Sequence, residues 1–145
     1  NMCSGRYQSC MMTMAGGVVS AGITMDGRIR NLMIDRGSPE LAREVDDPEL
    51  EAHLLTTLQR MIKDADTLRA GIDECVYDNL ERMGTMGMIL VDYVRAHHPE
   101  FPFDPAFGEH GDPWAHLPAL PPTVEALVAR VRARRSTPAN AEARA

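Results

Sequence analysis

The chain has 145 residues, enough for one domain with tails around a single buried core. Its 44% hydrophobic and 25% charged residues are the balance of an ordinary globular protein. Its net charge of −6 speaks against nucleic-acid binding driven by bulk charge. No run of about 18 apolar residues offers a membrane span. No basic stretch leads into a sustained apolar one near the N-terminus, so a cytoplasmic location is expected. Cys3, Cys10 and Cys75 are odd in number, form no C-x-x-C and point to free thiols in a reducing compartment.

The charge is uneven. Residues 1–38 carry four Arg against two Asp, a balance of +2. Residues 39–98 carry six basic against thirteen acidic side chains, a balance of −7. Residues 99–145 carry five basic against six acidic, a balance of −1.

In chain order, Arg6–Met14 mixes aromatic, Thr and thioether residues and reads as an edge strand ended by Ala15-Gly16-Gly17. Val18–Met25 alternates, with Val19, Ala21, Ile23 and Met25 on one face. Asp26-Gly27 is a hairpin signal, and Arg28–Asp35 reads as the return strand. Ile29 is out of phase with Leu32 and Ile34, which suggests a bulge. These segments predict a three-stranded antiparallel meander with one apolar face. Ser38-Pro39-Glu40-Leu41 suits a short helical turn through Arg43. Asp47-Pro48 then suits a helix start, with Asp47 as N-cap and Glu49 and Glu51 at the positive end of the dipole.

The helix expected from Pro48 to Met83 carries a regular seam. Leu54, Leu58, Met61, Ala65, Leu68, Ile72 and Cys75 step by 4, 3, 4, 3, 4, 3. At about 1.5 Å per residue the helix would run roughly 50 Å. That overhangs a core with a radius of gyration of about 13 Å, so a second copy is the expected partner along this seam. Gly84-Thr85-Met86-Gly87 reads as an interruption, Met88–His97 as a short helix ended by Pro99, and 99–122 as a proline-rich arm carrying Phe101, Phe103, Phe107 and Trp114. Pro122–Arg135 reads as a last helix, with Val124, Leu127, Val128 and Val131 on its apolar side. Ser136–Ala145 is expected to be disordered. The organisation is thus a tail over 1–5, an α+β domain over 6–98, the arm over 99–122, a short helix over 123–135 and a tail over 136–145.

The run Gly16–Asp35 (GGVVSAGITMDGRIRNLMID), the start Asp47-Pro48-Glu49-Leu50 and the stretch Leu54–Glu74 resemble the YbaB/EbfC family of small bacterial nucleoid-associated proteins. The resemblance covers roughly residues 6–87. It implies an α+β protomer, an intertwined homodimer and DNA binding with little sequence preference. Some actinobacterial relatives are instead associated with specialised secretion, which implies a protein-interaction role. The family's usual first helix, rich in Met and Gln, has no room here, and about 58 residues follow Gly87.

For DNA, the candidate contacts are Arg28, Arg30 and Arg36 around the expected hairpin and Arg60, Lys63 and Arg69 on the long helix. A dimer would present them twice, to phosphates rather than bases. The bland alternative is a solvated charged face, and Asp64, Asp66, Asp73 and Glu74 beside the helix cations would repel phosphate. Arg130, Arg132, Arg134 and Arg135 form a basic end that suits either loose nucleic-acid contact or a helix C-terminus. His97, His98, His110 and His116 accompany Glu100, Asp104, Glu109 and Asp112, but no metal-binding spacing appears. Met12-x-Met14 and Met86-x-Met88 suit packing or adaptable contacts better than copper. No nucleophile lies at a recognisable spacing from a His, and no phosphate-cradling loop is present. The chain therefore reads as non-enzymatic, without metal or cofactor. The expectation is a nucleoid-located homodimer binding DNA weakly, and the alternative is a protein-interaction module without DNA binding.

Overall fold

A computed structural model describes residues 1–25, 27–103 and 111–137. Its N-terminal half alternates strand and helix. β1 (Met2–Ser4), α1 (Tyr7–Met14), β2 (Ser20–Thr24), α2 (Gly27–Asp35), a 3-10 turn (Pro39–Leu41) and β3 (Ala42–Glu44) follow in turn. Two long elements come next, α3 (Leu50–Lys63) and α4 (Ala65–His97), then a 3-10 turn (Pro113–His116) and α5 (Pro122–Arg135).

The three strands form a sheet in the order β1-β2-β3, and both pairings are parallel. Met2 lies beside Ser20, and Gly22 beside Ala42. This overturns the antiparallel meander. Two of the three segments expected as strands are helices. Each returns the chain to the same end of the sheet, as a parallel pair requires.

Residues Cys10 and Met14, one helical turn apart, supply the buried side of α1. Ile29, Leu32 and Met33 supply that of α2 at spacings of three and four. The phase slip at Ile29 was therefore a helical period, not a bulge. Both helices end in the same backbone motif. Val18 N–H donates to the Thr13 carbonyl and Gly17 N–H to that of Met14. Ser38 N–H donates to the Met33 carbonyl and Gly37 N–H to that of Ile34. Gly17 and Gly37 have φ of 65° and 69°, the left-handed conformation that such helix ends demand. Asp26 of the expected hairpin lies outside the described residues, and Gly27 is the first residue of α2.

Strand β2 is central, and helices cover it. Val19, Ser20, Ala21 and Thr24 are each essentially inaccessible. A continuous buried run is typical of a strand in a covered parallel sheet. Gly22 lets α2 lie close, because a Cβ there would collide with Ile29. The principal core joins Cys10, Met14, Val19, Ala21, Ile29, Leu32, Met33 and Leu41 to Met61, Leu68, Ile72 and Cys75 from α3 and α4.

The expected long helix breaks at Asp64, whose φ of −106° and ψ of 23° leave the helical range. Beyond it α4 runs unbroken for 33 residues, through the expected interruption at 84–87. A Cβ on Gly84 would sit 2.7 Å from the Pro113 carbonyl carbon and closer still to its oxygen, so this glycine admits the 113–116 turn against the helix. A second, smaller core lies there, made of Tyr77, Leu127, Val128 and Val131 with Trp114, Leu120, Leu80 and Val76 at its edge. α5 spans the residues expected of it and buries Val124, Leu127, Val128 and Val131.

Candidate functional site

The six cations expected at DNA do not form one patch. The Arg30 guanidinium pairs with Glu44. Arg60 lies 3.0 Å from Glu40 and 3.7 Å from Asp64. Arg69 lies 3.3 Å from Asp66 and donates to the Gly17 carbonyl at 3.2 Å. Arg28 sits over the Tyr7 ring, 5.9 Å from its centroid. Lys63 is exposed at the end of α3. Arg36 is 4% exposed and donates to Ser20 Oγ at 3.0 Å and toward Met33 Sδ at 3.4 Å. Burial pulls its pKa below the ordinary guanidinium value, and the thiols of Cys10 and Cys75 oppose that pull. It is an interior residue, out of reach of a phosphate backbone.

The seam expected at a dimer is divided. Met61, Leu68 and Ile72 lie in the principal core, while Leu54 and Ala65 are half-buried. Leu58 is exposed on α3, beside the exposed Leu55 and Ile62.

The basic end of α5 is occupied by α4. Arg130 grips Asp73 in a fork, Nε to Oδ2 at 3.2 Å and Nη2 to Oδ1 at 3.1 Å. Arg134 Nη1 adds a third donor to Asp73 at 3.3 Å. Asp73 is 1% exposed, so these bonds replace its water. Arg135 bonds Glu74 at 2.9 Å and also reaches Asp78. Burial works against its charge, but Asp78 and Glu74 outweigh that and raise its pKa above the ordinary guanidinium value. Arg132 covers the Trp114 ring at 4.6 Å, Trp114 packs on Tyr77 at 4.8 Å between centroids, and Arg135 covers Tyr77 at 4.3 Å. This ladder of cation, ring, ring and cation clamps the turn and α5 onto α4. Acids at 73, 74 and 78 matched to bases at 130, 134 and 135 were the sequence signal for it.

Among the described residues no three His, Cys, Asp or Glu side chains gather to hold a metal. His97 stacks on Tyr93 at 4.2 Å, His98 lies 3.6 Å from Glu100, and His116 is buried. His110, Asp104, Glu109 and Phe107 lie outside the described residues, as do 138–145. The thiols are unbridged. Cys3 is exposed, and Cys10 and Cys75 are buried. Burial pushes the Cys10 and Cys75 thiols up, which keeps them protonated. No helix among the described residues is long and apolar enough to cross a membrane.

The C-terminal half of α4 presents the feature that the sequence reading divided. The 113–116 turn covers one side of it. On the opposite side Met83, Met86, Ile89, Leu90 and Tyr93 are exposed, with Met86 at 71%, Leu90 at 62% and Tyr93 at 57%. Their spacings of three and four place all five on one helical stripe. Together they expose on the order of 600 Å² of apolar surface, the upper end of what a monomer leaves contiguous. At its N-terminal end the stripe meets a cleft of about 210 Å³ between α1 and α4, lined mainly by apolar side chains, Met11, Met14, Val76, Leu80 and Met83 among them, with Asn79 as its polar member. Treating Gly84–Gly87 as a break hid the stripe, since it cut the period between Met83 and Leu90. Comparison with family models, with characterised proteins and with solved structures finds no match to this chain.

Proposed function

We propose that this protein is a non-enzymatic protein-docking module that works through the exposed face of α4. The observation that carries this reading is the stripe of Met83, Met86, Ile89, Leu90 and Tyr93, five large apolar side chains in water on one continuous helix. Leaving them there costs about 25 cal/mol per Å² relative to burial, so a partner that covers them gains most of its affinity from that area. Methionine suits the task, because its unbranched thioether adapts to a partner's shape. Tyr93 adds a rigid ring with a polar tip, the type of residue that anchors interfaces.

Phosphate contact has weaker support. Arg30, Arg60 and Arg69 stand against carboxylates, Arg36 is interior, and the whole chain is acidic. A phosphate would have to displace acids already in place.

The test is binding by the full chain against Met86→Glu/Leu90→Glu, with far-UV circular dichroism to verify the fold. Wild type is expected to associate with a protein, its own copies included, and the variant to lose that association. A short DNA duplex titrated at low and raised salt should give no salt-dependent binding. Association that survives the double substitution, or DNA binding with a steep salt slope, refutes the reading.

A further inference from the structure

We infer that the occupant of this face is a second copy of the same chain, laid antiparallel on α4 about a two-fold axis beside Met88. The inference rests on the docking reading and names its partner.

The stripe reads nearly the same in both directions. Positions equidistant from Met88 pair Met86 with Leu90 and Met83 with Tyr93. All four are exposed, and their steps of 3, 4 and 3 are those of a two-helix seam. A two-fold interface needs this self-complementarity, since each patch must fit its own image. An antiparallel pair therefore sets Met86 against Leu90 twice and Met83 against Tyr93 twice. Ile89, beside the axis, meets its own counterpart. A foreign helix requires no such symmetry.

The cleft adds a shape argument. Tyr93 of the second copy comes level with Met83, one wall of the 210 Å³ space that Met11, Met14, Val76 and Leu80 complete. The ring thus arrives where the apolar surface continues beyond the helix. The stripe exposes at most about 600 Å² per copy, against roughly 800 Å² per partner in a standard interface, so the dimer contact has to extend onto the cleft beside Met83.

The experiment combines sedimentation with cross-linking of the full chain in a Cys3→Ser background, which removes the exposed thiol. Wild type should sediment as a dimer at micromolar concentration. Leu90→Glu should weaken association at least about thirty-fold, the scale of a central anchor residue, with an unchanged circular dichroism spectrum. Ile89→Cys alone should form an oxidised dimer. Met83→Cys and Tyr93→Cys should cross-link when mixed and not when separate, whereas parallel pairing would cross-link each alone. Cross-linking of Met83→Cys with itself overturns the antiparallel arrangement. A wild-type monomer at all concentrations overturns the second copy. If that monomer still binds another protein and loses it with Met86→Glu/Leu90→Glu, the docking reading stands and this inference alone fails. If it binds nothing, both fail.

Discussion

Replacing Gly84 by Ala sets two effects of opposite sign against each other. In an ordinary helix interior the change is favourable, because Ala exceeds Gly by up to about 1 kcal/mol in helix propensity. Here the new methyl group would stand 2.7 Å from the Pro113 carbonyl carbon, where carbon atoms rest at about 3.5–4.0 Å. The obstacle is backbone, so the 113–116 turn must move by on the order of 1 Å or leave the helix. Overpacking of this kind costs about 1–3 kcal/mol. Displacing the turn also loosens Trp114 from Tyr77, a ring contact worth about 0.5–1.5 kcal/mol. The penalties outweigh the propensity gain, and a net destabilisation of about 1–2 kcal/mol is expected. Trp114 is the only tryptophan, so its emission should shift to the red as the ring gains water, and the urea midpoint should fall. Gly87→Ala is the milder comparison, since its Cβ would stand 3.3 Å from the His116 Cβ and carbonyl oxygen, a tight contact that a shift of a few tenths of an ångström relieves, and its loss should be the smaller of the two. A Gly84→Ala protein that is more stable than wild type, with unchanged emission, would refute the docking of the turn on α4.

Two further outcomes follow from the ion pairs. Asp73→Ala should cost about 2–3 kcal/mol in urea unfolding, below the usual loss for a broken buried pair because Arg130 and Arg134 can turn into water. A loss under about 0.5 kcal/mol would mean that the α4–α5 clamp contributes nothing of note. Asp47 concerns acid. The Glu49 N–H at 2.9 Å and His53 Nδ1 at 2.7 Å hold its carboxyl below the ordinary value of 3.8. The stability it contributes is therefore complete above that value and is lost as pH falls through the lower folded one. Thermal melts of Asp47→Asn between pH 7 and pH 2 should show a shallower acid decline than wild type. Superimposable declines would contradict the assignment.

The parts of the fold that the sequence reading recovered are those with a long period or a strong terminator. α5 follows Pro121-Pro122 and its apolar side as expected, and Pro99 closes α4; the turn after Ser38-Pro39 forms but stops at Leu41, and the residues expected to extend it through Arg43 are strand β3 instead. The N-terminal half was misread because short helices of eight and nine residues carry only two or three buried positions each. Cys10 with Met14, and Ile29 with Leu32 and Met33, fit a helical period and a broken alternation almost equally well. Asp26-Gly27 then favoured the hairpin. Gly17 and Gly37 carried the opposing information, as glycines three and two residues beyond a helix end, and Pro39 after Gly37 reinforced it. The docking face was hidden for a related reason. Gly84 and Gly87 weaken helix propensity, but their place in the chain is set by a turn some thirty residues later, and no local pattern announces that contact.

The two cores share one helix, and Val76 touches both. That arrangement has a kinetic consequence. The sheet core draws α4 as far as Cys75, whereas the smaller core depends on the 113–116 turn and α5 held against the helix from Asp73 onward. Release of α5 therefore exposes Tyr77, Leu127, Val128 and Val131 without opening the sheet. Such a sub-global opening lies below full unfolding in free energy. Native-state hydrogen exchange along α4 should then fall into two classes. Amides before Val76 exchange with the sheet, and those beyond it exchange earlier, with the cap. α4 is in this sense one helix divided between two units of cooperativity, and the proposed docking stripe lies wholly on the less stable one.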